Sequence, residues 1–204
     1  MFMPRHFVET REHALHGLID VHPFATVVAS GETGMAVNHL PLLRQGGALR
    51  GHVAGGNELA ALDGAPVLAI FHGPQGYVSP NWYPSKHVTG REVPTWNYAV
   101  VHVHGRLRVV QDAPWLRALL DALTDRFEAS EPSPWKVADA PADHVEMLLG
   151  AIAGIEIAIA RIEGKFKLSQ NHPAANRAGV IAGLRRRSGS GDGELADLMQ
   201  DVAP

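Results

Sequence analysis

The stretch YVSPNWYPSKHVTGREVPTWNY, Tyr77 to Tyr98, holds all three tyrosines of the chain, two of its four tryptophans and three of its fourteen prolines. Tyr and Trp combine a large apolar face with a hydrogen-bonding tip, so this density suits walls for a flat polar ligand or a second protein surface, or a brace holding a long connection against the core. Pro80, Pro84 and Pro94 each fix φ and remove a donor. The segment is therefore expected as strand end, shaped loop and strand start, not one ladder strand. Immediately upstream, VLAIF (67–71) is a continuous run of β-formers, expected as a central strand buried on both faces. Downstream, NYAVVHVHGRLRVV (97–110) alternates Val101, Val103, Leu107 and Val109 with His102, His104, Arg106 and Arg108, a period-two strand with one core face.

Further upstream, Leu15, Leu18 and Ile19 fall at helical spacing and Pro23 ends that helix before the strand FATVVA (24–29). Gly31 and Gly34 bracket a hairpin turn, MAVNHLPLL (35–43) runs back, and after Gln45–Gly47 ALRGHV (48–53) is a third strand. Pro41 removes one ladder donor, which puts its strand at an edge or a bulge and leaves Asn38 and His39 where backbone groups can meet a ligand. Asn57 is read as the N-cap of a short helix, an anion-binding position.

Downstream, Asp112 caps a helix whose stripe is Trp115, Leu116, Leu119, Leu120, Leu123 and Phe127. A short helix from Asp139 and Pro141 to Leu149 follows. Then comes a strand with Ile155, Ile157 and Ile159 on one face and the small Ala158 and Ala160 on the other, marking close approach of a neighbour. GKFKLSQN puts Lys165 and Lys167 on one side of an extended chain with Ser169 and Gln170 after them, a phosphate clamp or a solubilising pair. After a last helix, RRRSGSGDG reads as a flexible basic linker. ELADLMQDV then carries Leu195, Leu198, Met199 and Val202 on one helical stripe that needs a partner surface.

The 204 residues suffice for one well-buried domain with a tail. A net charge of −3 and a pI near 6.4 give no electrostatic reason for non-specific nucleic-acid binding. The absence of cysteine excludes disulfides and thiolate chemistry and fits a reducing, cytoplasmic setting. The start shows no secretory segment, and the longest apolar stretch, Leu148 to Ala160, contains Glu156 and is too short for a membrane span. GxGxxG, GxxxxGK, HExxH and GxSxG motifs are absent. His102 and His104 share a strand face, but two histidines make a weak metal site.

Seven blocks in order resemble the PaiB family of FMN-binding negative transcriptional regulators: PRHF at Pro4, HPFAT at His22, NHLPL at Asn38, GHVA at Gly51, IFHGPQGYVSPNWYPSK at Ile70, VPTWNY at Val93 and KFKLSQN at Lys165. The resemblance implies an α+β fold, a six-stranded antiparallel split β-barrel with peripheral helices, spanning residues 1–184. Residues 185–204 are left as the basic linker and a short amphipathic helix. It also implies a homodimer with FMN in clefts lined by Asn38, His39, His52, Asn57, Thr95, Trp96 and Asn97, with Lys165, Lys167 and Gln170 adding charge and amide contacts. Relatives often carry a basic residue after GHVA; Gly55 and Gly56 stand there in this chain. DNA is a weakly supported partner, because Arg185–Arg187 is the strongest basic run and no helix-turn-helix pattern is visible. Whether the protein is an enzyme stays open. A related branch resembling piperazate synthases holds haem b instead of flavin, through the histidine that corresponds to His52.

Overall fold

The computed structural model describes residues 1–31 and 34–201. Glu32 and Thr33 of the expected hairpin turn and Val202 of the C-terminal stripe lie outside the described residues. In chain order the elements are a 3-10 turn (Arg5–Phe7), β1 (Val8–Glu9), α1 (Glu12–Val21), β2 (Phe24–Gly31), β3 (Gly34–Pro41), β4 (Leu43–Gln45), β5 (Ala48–Ala54) and a 3-10 turn (Glu58–Ala61). There follow β6 (Pro66–Val78), a 3-10 turn (Pro80–Trp82), α2 (Lys86–Thr89), β7 (Thr95–Val110), α3 (Ala113–Glu128) and a 3-10 turn (Val137–Asp139). The chain ends in α4 (Ala142–Leu149), β8 (Ile152–Lys167), α5 (Ala174–Arg187) and α6 (Asp192–Asp201). The strands form one sheet in the order β3-β2-β6-β7-β8-β5-β4, with β1 paired to β8. Six long strands are those the sequence predicts, and the two- and three-residue β1 and β4 bring the sheet to eight. β3 lies at an end of the sheet, the position in which Pro41 costs no ladder bond.

The chain divides into two compact units. The first comprises residues 1–18, 72–101 and 163 onward; the second comprises 19–71 and 102–162.

In the second unit the core follows the period-two pattern. Ala25, Val27 and Ala29 of β2, Leu49 and Val53 of β5, Val103 and Leu107 of β7 and Ile155 and Ile157 of β8 are all buried, as are Leu116, Leu119 and Leu123 of α3. Asp112 caps α3 by accepting from the Trp115 N–H at 2.8 Å. VLAIF is interior to the sheet but not buried on both faces. Val67, Ala69 and Phe71 are buried while Leu68 and Ile70 are half-exposed, because in this unit only one face of β6 is covered. The close approach expected at Ala158 is made by Gly105 of β7: a Cβ there would sit 2.3 Å from the Ala158 carbonyl oxygen. Gly154 is equally constrained, its Cβ position lying 2.4 Å from the Trp115 ring.

In the first unit α6 packs on α5 and buries Leu195, Ala196 and Met199 completely. Gly179 and Gly183 of α5 admit Trp82, whose ring would lie 2.2 Å from a Cβ at Gly183. The basic run does not open into a linker. Arg185, Arg186 and Arg187 form the last turn of α5, with Ser188 as a left-handed cap. Arg187 makes a bidentate ion pair with buried Asp192, donates to the Tyr77 carbonyl at 2.9 Å and stacks over Trp82. These partners, supplied by distant segments, extend the helix through residues whose local composition reads as a linker.

Replacing Gly105 by Ala drives a methyl into backbone that cannot retreat, so it is expected to cost about 2 kcal/mol or more of unfolding free energy. Gly47→Ala, in open space, is expected to stay within about 0.5 kcal/mol. Urea titration of both variants checks this, and equal effects would contradict the packing account.

Candidate functional site

Two groups of chemistry-bearing residues stand out, one in each unit. In the first unit, β8 delivers Lys165 and Lys167 to one strand face. Lys167 donates from Nζ to Thr95 Oγ1 at 2.5 Å and to the Trp96 carbonyl at 2.6 Å, and lies 5.9 Å from the Phe7 ring centroid. Lys165 donates to the Phe2 carbonyl at 3.0 Å and sits over the Phe2 and Tyr98 rings. Neither ammonium has a carboxylate partner among the described residues. Burial, and then the neighbouring Lys165 charge, hold the Lys167 ammonium below the usual lysine range.

Past Lys167 the chain turns sharply. Ser169 adopts φ 63°, the left-handed region that costs a residue with a Cβ of order 1 kcal/mol or more. Gln170 holds the turn: its amide donates to the Phe166 carbonyl at 2.5 Å and its Oε1 accepts the Leu168 N–H at 2.8 Å. Its polar atoms are thus engaged with backbone. The turn in its place lets Ser169 meet the fully buried Asn97 at 2.9 Å, and Asn97 also points its amide at Met199 Sδ.

A cavity of about 240 Å³ lies against these residues, lined by Thr95, Asn97, Lys167 and Ser169 together with Tyr83, Glu92 and His172. Tyr83 and His172 stack with ring centroids 4.9 Å apart. Burial pushes the Tyr83 phenol up; the Ser169 hydroxyl opposes the shift in part, but no well-aligned hydrogen bond reaches the phenol. Glu92 is pinned from the far side. Its Oε1 accepts the Ser85 hydroxyl and, at 3.1 Å, the Asn176 amide, while its Oε2 lies 4.0 Å from His172 Nδ1. Trp96 is half-exposed and donates to Gln75 at 3.3 Å. Thus Thr95, Trp96, Asn97, Lys165, Lys167 and Gln170 do come together, though Asn97 and Gln170 serve the turn. Glu92, Tyr83 and His172 join a site that the sequence does not disclose. They are separated from one another by up to some ninety positions, and only the stacking of α5 on the Pro80–Thr95 loop reveals them.

In the second unit Asn57 caps the 3-10 turn, accepting the Leu59 N–H at 2.9 Å, and its amide donates to Asn38 Oδ1 at 2.6 Å. Asn38 in turn donates to Glu58 at 3.3 Å. His39 bonds Thr26 at 3.1 Å and stacks on Phe24. His52 stands apart from these. It lines an open pocket of about 330 Å³ whose other walls are Pro41, Leu120, Leu123, Phe127 and Trp135, with Thr124 and Glu128. Its Nδ1 is buried without a hydrogen-bond partner, and burial lowers its pKa, so the neutral ring is favoured.

Among the described residues no helix is long and apolar enough to cross a membrane. Residues 1–161 match the family model described as "Putative FMN-binding domain". An uncharacterised protein of Emericella nidulans is 38% identical over 66% of this chain and 58% of its own length, so the chain spans little more than half of that relative. The protease synthase and sporulation protein PAI 2 of Bacillus subtilis is 28% identical over 98% of this chain and 97% of its own. Among solved structures, the FAD- and haem-binding protein of Mycobacterium smegmatis aligns with a TM-score of 0.63 at 22% identity, covering 84% of this chain and 78% of that one. The likeness is of fold, the antiparallel split barrel with peripheral helices. With four-fifths of its length matched by the family model and a full-length bacterial relative, the chain belongs to the PaiB-type FMN-binding family of split-barrel proteins.

Proposed function

We propose that the protein binds FMN, with Lys165 and Lys167 holding the cofactor phosphate, and that it acts as a homodimeric negative regulator of transcription. The observation that carries the cofactor reading is the lysine pair without a carboxylate partner among the described residues. Two like charges on one strand face, one of them partly desolvated, are costly unless an anion joins them. The donors fit a phosphate: each ammonium keeps N–H capacity, and Thr95 accepts from Lys167 while retaining its own hydroxyl proton. Trp96, whose carbonyl accepts from Lys167, carries an exposed ring. Gln170 contributes by holding the Ser169 turn. In the second unit Asn38, His39 and Asn57 are proposed as further polar contacts. Bound FMN would supply hydride or electron transfer, and the residues named here bind and orient it.

The dimer reading is supported by the outer face of the β2–β3 hairpin, where Phe24, Met35 and Val37 are 64%, 68% and 50% exposed. A second copy of the chain is the occupant proposed for that face. The regulatory reading comes from the family. It is proposed to act through a protein or metabolite partner, because the basic run is largely neutralised: Arg185 pairs with Asp197 and Arg187 with Asp192. Transcript levels unchanged by loss of the protein would contradict a regulatory role.

A charged hydrogen bond to phosphate contributes about 1.5–3 kcal/mol, so Lys165→Ala with Lys167→Ala is expected to weaken FMN binding tenfold or more. Flavin fluorescence titration measures this, with sedimentation showing the variant still dimeric. An unchanged dissociation constant removes the lysines from the site, and a monomer at micromolar wild-type concentration overturns the dimer.

A second reading, haem b ligated by His52, is favoured by one observation: a neutral imidazole with an unpartnered nitrogen lines an apolar pocket. If haem binds there, His52→Ala abolishes the Soret band of the reconstituted protein; an unaltered spectrum rules the ligand out. The neutral ring is testable without haem. The unfolded chain takes up the His52 proton near pH 6.5, before the folded one does, so this residue's contribution is intact above that pH and is lost as pH falls below it. The melting temperature of His52→Gln is therefore expected to fall less than that of wild type between pH 7.5 and 5.5, and parallel curves would contradict the burial effect.

A further inference from the structure

We infer that Glu92 is a specificity-determining residue that restricts the cofactor to a single phosphate, so that FMN is accepted and FAD refused. The inference rests on the flavin reading above and on the make-up of the first-unit cavity. That cavity is lined by Lys167, whose ammonium donates to Thr95, and also by Glu92. Glu92 cannot swing away without cost: the Ser85 hydroxyl and the Asn176 amide both donate to Oε1, and Asn176 is itself tied to Ser85 by its amide nitrogen at 2.7 Å and by Oδ1, which accepts the Ser85 N–H. His172, stacked on Tyr83, sits 4.0 Å from the other carboxylate oxygen.

A phosphate monoester at the lysines brings a single anionic group into a cavity that Glu92 also lines. A second phosphate would face that carboxylate in a partly dry space, where repulsion between like charges is weakly screened. Solved split-barrel proteins of similar fold include one that binds FAD, so the fold itself does not impose the choice, and a residue must.

The test is the ratio of FMN to FAD dissociation constants by fluorescence titration, for wild type and for Glu92→Gln, which keeps size and hydrogen-bonding capacity while removing the charge. Wild type is expected to prefer FMN at least a hundredfold, and Glu92→Gln is expected to cut that preference tenfold or more, mainly by gaining FAD. A measurement on wild type alone adds to it: inorganic phosphate should displace FMN at least as well as pyrophosphate does, despite the greater charge of the latter. A ratio unaltered in Glu92→Gln, or pyrophosphate competing more strongly, overturns the assignment to Glu92 while leaving FMN binding intact. Absence of FMN binding by wild type overturns both readings together.

Discussion

Two ammonium groups stand on one face of β8 without a carboxylate partner among the described residues, and hydrogen bonds to neighbouring segments of the first unit hold them there. The strand pattern puts Lys165 and Lys167 two residues apart, and so on one side. Thr95 Oγ1 and the Trp96 carbonyl then fix Lys167 at the start of β7. Desolvation of the Lys167 ammonium beside a second cation is a cost that a neutral side chain at either position would relieve. The turn after the pair is also strained, with Ser169 in the left-handed region and Gln170 committed to sustaining it. Strain and unbalanced charge in the same few residues are the grounds on which the ligand site is proposed.

The C-terminal helices support this arrangement from behind. Asn97, which bonds Ser169, also meets Met199 of α6, and the Arg187–Asp192 ion pair fastens α6 where Met199 can reach it. The family model stops at residue 161, yet Lys165, Lys167, Ser169 and His172 all follow it. These residues carry the charges on which the proposed cofactor contact depends, and the Bacillus subtilis relative aligns with 98% of the chain.

Much of this was legible in the sequence. Period-two alternation located β7, Pro41 marked its strand as an edge or a bulge and the structure makes it an edge, and Asn57 and Asp112 announced the helical turns they cap. Local pattern reads local structure well, because those choices are made by residues next to one another. It read VLAIF less well: a run of β-formers signals a strand but not which of its faces is covered. It read the basic run as a linker, since nothing adjacent reveals that Tyr77, Trp82 and Asp192 will receive Arg187. Glu92 was invisible for the same reason. Within its own loop it is one acid among Lys86, His87 and Arg91, and its meaning comes from Ser85 and Asn176, brought to it only by the docking of α5.

The claim at the centre of this account is that the chain binds one FMN through its phosphate. Equilibrium dialysis of the purified, flavin-free protein against FMN and against riboflavin tests it most directly. The account predicts saturation at one FMN per chain, with riboflavin bound at least tenfold more weakly for want of the phosphate; equal affinity for the two, or no FMN uptake, would contradict it.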